Sequence, residues 1–204
     1  MVGEIRLYIE GGGDSRSTKA DLRRGYSAFL RELRASARRN RVHWQVIVCG
    51  GRENAYQAFR SALRHHPDAF NILLVDAEGP VRDAAPWEHL STRDEWDSMD
   101  LPDKHCHLMV QTMEAWFIAD PDAVARYFGK GFLRNRLPKT ANVEDIDKNQ
   151  LATTLNSAAK NTPKKGYKKI RDGAALLEAV DPPTVRKRAH HCERLFTVVG
   201  EELA

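Results

Sequence analysis

Cysteine is scarce in this chain of 204 residues: Cys49, Cys106 and Cys192 are the only three, and no two stand as CxxC. That excludes a disulfide framework and points to a reducing compartment, so the expected location is the cytoplasm. Long apolar runs are also missing. No stretch approaches the roughly 20 residues that cross a bilayer, and no membrane partner is expected. The opening MVGEIRLYIEGGG lacks the charged start and apolar middle of a signal peptide. Common cofactor and nucleophile signatures are absent too. The glycines Gly11 to Gly13 are followed by no GK[ST] and lack the GxGxxG spacing, and no GxSxG or paired Cys/His nucleophile occurs.

Charge is plentiful, at 29% of residues against 42% hydrophobic, a globular balance. The formal net charge is +4, and its distribution says more than its total. Residues 16 to 41 carry Arg16, Lys19, Arg23, Arg24, Arg31, Arg34, Arg38, Arg39 and Arg41 against Asp21 and Glu32. Residues 76 to 103 reverse the sign, with nine acids against Arg82 and Arg93. Residues 148 to 171 hold seven Lys/Arg and no acid. An acidic centre between basic segments suits a metal site that acts on a polyanion; solvated helix faces are the bland alternative, preferred for 16 to 41.

Hydrophobic periodicity sets the architecture. EIRLYIE at 4 to 10 alternates as a strand and is broken by Gly11, Gly12, Gly13 and Asp14. One helix is expected from about Ser15 to Arg39, capped by Asp14 or Ser15, with Leu22, Tyr26, Phe29, Leu30 and Leu33 on one stripe. HWQVIVC at 43 to 49 reads as a second strand, 53 to 65 as a helix, and NILLVD at 71 to 76 as a strand buried on both faces. Residues 77 to 104 read as a long loop with a short helix, and HCHLMVQ at 105 to 111 as a fourth strand. Helices are then expected through EAWFIAD, after Asp120-Pro121, over 147 to 161, and again from Asp181-Pro182. Residues 162 to 172 read as a basic loop. Strands alternating with helices predict an α/β fold: a Rossmann-like, mostly parallel sheet flanked by helices, with a helical C-terminal part. The expected division is 1–128 for the metal-binding core and 129–204 for a basic loop and helical extension packed on it.

Ligands of open parallel sheets sit beyond the carboxyl ends of the strands, where the strand order reverses. Glu10 ends the first strand and Asp76 the third, with Glu78 two residues on. In a 2-1-3 strand order the first and third strands are neighbours, and the three carboxylates converge. They repel one another unless a cation neutralises them. Mg²⁺ or Mn²⁺, with few carboxylates, several waters and phosphate oxygens, fits that need. Asp76 alone could cap a turn, and Glu78 before Gly79-Pro80 could be plain loop. Zinc is not expected at His105, Cys106 and His107, because strand alternation sends Cys106 to the opposite face.

IEGGGDS after the first strand and LLVDAEG at the third resemble the Toprim pattern, a Glu followed by an acidic pair, with Glu78 in place of the usual second Asp. YIEGGGDS, LLVDAEGPV, PWEHL, HLMVQTMEAWFIAD and FGKGF together resemble one bacterial family, domain of unknown function 4276, over nearly the whole chain. The resemblance implies a Toprim-like fold, Mg²⁺-dependent nuclease chemistry on DNA or RNA, and a neighbouring SMC/ABC-like ATPase as partner in antiviral defence. It also implies a role for Glu114, whose other reading is a helix-opening acid. Lys165, Tyr167 and Lys169 fall where related sequences have a similar Lys-rich stretch, whose lysines, Lys169 among them, could neutralise a phosphate; a solvated loop is the preferred alternative. Lys164, Lys165, Lys168 and Lys169 are expected to hold a nucleic-acid backbone, with Tyr167 offering its ring to a base. Two rivals stand beside the nuclease: a haloacid-dehalogenase-like phosphatase with Asp76 as nucleophile, and a non-catalytic regulator of an ATPase. A homo-oligomer stays open.

Overall fold

The computed structural model describes residues 2–81 and 85–204; Arg82, one of the two cations in the acidic segment, lies outside them. Four strands form one sheet: β1 (Glu4–Glu10), β2 (His43–Gly50), β3 (Phe70–Asp76) and β4 (Cys106–Met109). Their order is β2-β1-β3-β4 and every pairing is parallel, so the Rossmann-like α/β expectation holds. β1 runs to β2 in one direction along the sheet and β2 crosses back to β3. Right-handed crossovers therefore put the intervening helices on opposite faces.

One face carries α1 (Arg16–Phe29) and α2 (Arg31–Arg39), joined by the C-terminal helices: α5 (Glu114–Ala119), α6 (Pro121–Phe128), α7 (Lys148–Ala159), α8 (Lys169–Ala179), α9 (Pro182–Arg186) and α10 (His190–Glu202). The other face carries α3 (Arg52–His65) and α4 (Pro86–Asp94). Ile5, Leu7 and Ile9 of β1 join the first core and Tyr8 the second, as alternation requires. Every residue of β3 is buried, since helices cover both of its faces. Each such aliphatic side chain contributes roughly 1.5–3 kcal/mol of burial.

The helix expected over 15 to 39 is two. Hydrogen bonding passes through the joint, with Leu30 N–H donating to the Tyr26 carbonyl and Arg34 N–H to the Leu30 carbonyl. Leu30 is fully buried, so the bend keeps the apolar stripe on the sheet. The fourth strand is shorter than HCHLMVQ, because His105 belongs to a 3₁₀ turn and the chain leaves the sheet after Met109. The basic loop is shorter too, with α8 starting at Lys169.

The crossing of α1 and α8 positions the C-terminal helices against the strand ends. A Cβ on Gly25 of α1 would lie 2.7 Å from the Ala174 carbonyl oxygen of α8. Glycine lets the two backbones close, and this contact brings the start of α8 to the carboxyl end of the sheet. Among the described residues no helix is long and apolar enough to cross a membrane.

Candidate metal centre

Asp76 shares the strand parity of Ile72 and Leu74, which directs it to the α8 side of the sheet. Glu10 shares the parity of Tyr8 and leaves β1 on the α3 side, after a register shift between Ile9 and Glu10. Gly11 then turns the chain with φ of 127°, and a Cβ there would meet Leu22 at 2.7 Å. Glu78 sits just past β3 with φ of 60°, a left-handed conformation that costs a non-glycine residue energy. Its N–H donates to the Gln111 carbonyl at 2.7 Å, holding it there. One carboxylate oxygen from each of Glu10, Asp76 and Glu78 lies within 4.8 Å of the other two.

Cations of the chain neutralise this group. Arg52, in the first turn of α3, donates to Glu10 Oε2 at 3.2 Å and to both oxygens of Asp94, at 3.0 and 2.6 Å. The same guanidinium reaches the Asp76 carbonyl, and the Asp76 N–H donates to Glu10 Oε2 at 3.2 Å. Lys148 at the start of α7 donates to Glu78 Oε2 at 2.8 Å. Lys169, first residue of α8, donates to Asp76 Oδ2 at 3.2 Å and stands 3.6 Å from Glu114 Oε2. Glu114 is buried, its Oε1 accepting from the Tyr167 hydroxyl at 2.9 Å and its Oε2 from the Thr112 hydroxyl at 2.8 Å.

Proton affinities follow from this arrangement. Burial, reinforced by Glu10 and Glu114 and opposed by Lys169, pushes the Asp76 carboxyl up to about 7. Burial also raises Glu10, against the pull of Arg52. Glu78 goes the other way: burial would raise it, but the Lys148 ammonium outweighs that and holds it below the usual carboxylate range. Desolvation would lower Lys169, yet Asp76 and Glu114 keep it above the ordinary lysine value. The Lys169 side chain is half exposed, so its charge stays within reach of solvent while it contacts Asp76.

A family model described as Domain of unknown function (DUF4276) matches residues 9–199. The chain belongs to that family. No curated protein and no solved structure matches it.

In this DUF4276 chain, Glu10, Asp76, Glu78, Glu114 and Lys169 all meet at one place. Three carboxylate oxygens form a hard donor set of the kind Mg²⁺ or Mn²⁺ takes. An octahedral Mg²⁺ spans about 4.2 Å between opposite ligands, so small side-chain rotations bring the three to one ion. Tyr167 corrects an expectation: it is 7% exposed and its hydroxyl is tied to Glu114, so its ring is closed to a base. The lysine group also divides. Lys169 faces Asp76, whereas Lys165 and Lys168 are exposed and Lys164 lies over the Tyr127 ring at 4.4 Å. Arg52 is a site residue that sequence reasoning missed, although Gly50-Gly51-Arg52 at the end of the second strand signals a helix start at the same sheet end. Lys148 is another, since in the sequence it counts only toward the charge of its segment.

Proposed function

We propose that this chain is a Mg²⁺- or Mn²⁺-dependent nuclease of Toprim type. The observation that carries the proposal is the convergence of Glu10, Asp76 and Glu78 at the switch point of a parallel sheet, with Lys169 at the same spot. The bound ion would polarise a phosphodiester and supply a hydroxide-like water at neutral pH. The protein's own groups do the rest. Arg52 orients Glu10 through Oε2, so that Glu10 serves as metal ligand or as base toward water. Glu114, fixed by Tyr167 and Thr112, holds the Lys169 ammonium where negative charge builds on the phosphate. Lys148 and Lys169, which contact Glu78 and Asp76, would give up those carboxylates to a bound divalent cation.

The phosphatase alternative would make Asp76 a nucleophile. Asp76 is 4% exposed, with Oδ1 accepting from the Met113 N–H at 2.8 Å and Oδ2 from Lys169. Those partners suit a ligand held in place better than an attacking group. On the resemblance to the domain of unknown function 4276 family, we extend the proposal to a role as the effector of an ATPase-linked antiviral system. Purified protein incubated with Mg²⁺ or Mn²⁺ and plasmid, single-stranded DNA or total RNA tests the reading. Metal-dependent cleavage lost in Asp76→Asn is expected. Turnover of a small phosphoester through a phosphoaspartate at Asp76 would favour the phosphatase. Metal binding without turnover would favour the regulator.

A further inference from the structure

A cavity of about 220 Å³ adjoins the carboxylates, and the chain's charges do not explain its lining. One wall carries Glu10, Asp76 and Lys169. The remainder is largely apolar, with Leu22 and Tyr26 from α1, Met109 at the carboxyl end of β4 and Met113 in the turn that follows it. The Tyr26 hydroxyl donates to both methionine sulfurs, at 3.0 and 3.3 Å, which fixes that surface. At the edge stands Ile170, 63% exposed, the one large hydrophobic so exposed among the described residues.

We propose that this cavity is a nucleobase pocket, and that the substrate is therefore single-stranded or unpaired at the nucleotide held there. The proposal rests on the nuclease reading for the neighbouring phosphate position and adds the class of nucleic acid. A site charged at one end and apolar at the other calls for a ligand built the same way. The volume suits one ring system rather than a lipid tail. Tyr26, Met109 and Met113 are closed off, at 0%, 1% and 4% exposure, so the surface offered to a flat ring is the exposed Ile170 side chain at the rim. Thr18 supplies a hydroxyl on the wall for a base edge. A base stacked within a duplex cannot enter this cavity without being extruded, which is least costly where it is already unpaired. Apolar contact reads any base face, so little sequence preference follows.

The test uses the full chain without metal. 2-Aminopurine riboside monophosphate serves as fluorescent probe, with AMP, ribose 5-phosphate and inorganic phosphate as competitors. A saturable fluorescence change is expected, with AMP competing at least about tenfold better than ribose 5-phosphate, as expected for burial of a base-sized surface. Ile170→Ala, an exposed change that leaves the core intact, should weaken AMP roughly fivefold through lost apolar contact and leave ribose 5-phosphate unchanged. Absence of saturable binding, equal competition by AMP and ribose 5-phosphate, or an unaltered Ile170→Ala would overturn the pocket. The two readings fail separately. Base-dependent binding with no cleavage under any metal removes the nuclease and keeps the pocket. Metal-dependent cleavage indifferent to the base and to duplex state removes the pocket and keeps the nuclease.

Discussion

The Lys169 ammonium stands 3.2 Å from Asp76 Oδ2, and the two line the same cavity. A cation of the chain thus covers the carboxylate proposed as a metal ligand. Replacing Lys169 by Met removes both a competitor for the ion and a positive charge beside the phosphate. Mn²⁺ affinity by calorimetry should rise, while cleavage falls by about 10²-fold or more. A purely structural lysine would not move the two quantities in opposite directions.

The raised Asp76 carboxyl gives a pH dependence of definite sign. The folded empty site binds this proton more tightly than the unfolded chain does, because Asp76 moves from 3.8 to about 7. Its contribution to stability is full below about pH 4 and is lost as pH rises through about 7. Metal loading requires the deprotonated form, so Mn²⁺ affinity should fall as pH drops below about 7. Thermal melts of the metal-free protein from pH 5 to 8 should show this loss, and Asp76→Asn should flatten it.

Tyr167→Phe removes one hydroxyl from a buried carboxylate. Leaving Glu114 Oε1 without its donor should cost about 1–3 kcal/mol in urea unfolding. A folded Tyr167→Leu variant, which removes the ring, should keep its affinity for single-stranded DNA, since the ring is enclosed and offers no stacking platform.

The exposed lysines remain candidates for a backbone contact. Neutralising Lys165 and Lys168 together should reduce the slope of log affinity against log salt by roughly 0.7–0.9 per phosphate contact, equally for all sequences. Mn²⁺ affinity should survive, because neither residue is hydrogen-bonded to Glu10, Asp76 or Glu78. Lys169 must be left in place, since its removal alters the metal site directly.

Much of the fold and site is legible in the sequence, and the misses have physical reasons. Alternation in EIRLYIE and the apolar run NILLVD mark two strands, and helices lying between strands imply parallel pairing, whereas the 2-1-3 order enters as a condition that the sheet meets. Glu10, Asp76 and Glu78 can be placed together because strand ends are set by local pattern. Arg52 and Lys148 cannot, because each reaches the site through tertiary packing of its helix. Tyr167 reads as part of a basic loop, since its neighbours are lysines. Its enclosure depends on Glu114, 53 residues earlier, a partner no local pattern announces. The bend at Leu30 carries no glycine or proline, so no local breaker announces it.

Titration of Mn²⁺ into the wild-type chain and into Glu10→Gln and Asp76→Asn, followed by calorimetry at pH 8, tests the central claim most directly. Saturable binding to the wild type that both substitutions abolish, with melting temperatures of the metal-free proteins unchanged or raised, is the predicted result. Unchanged Mn²⁺ affinity in both folded variants would contradict the account.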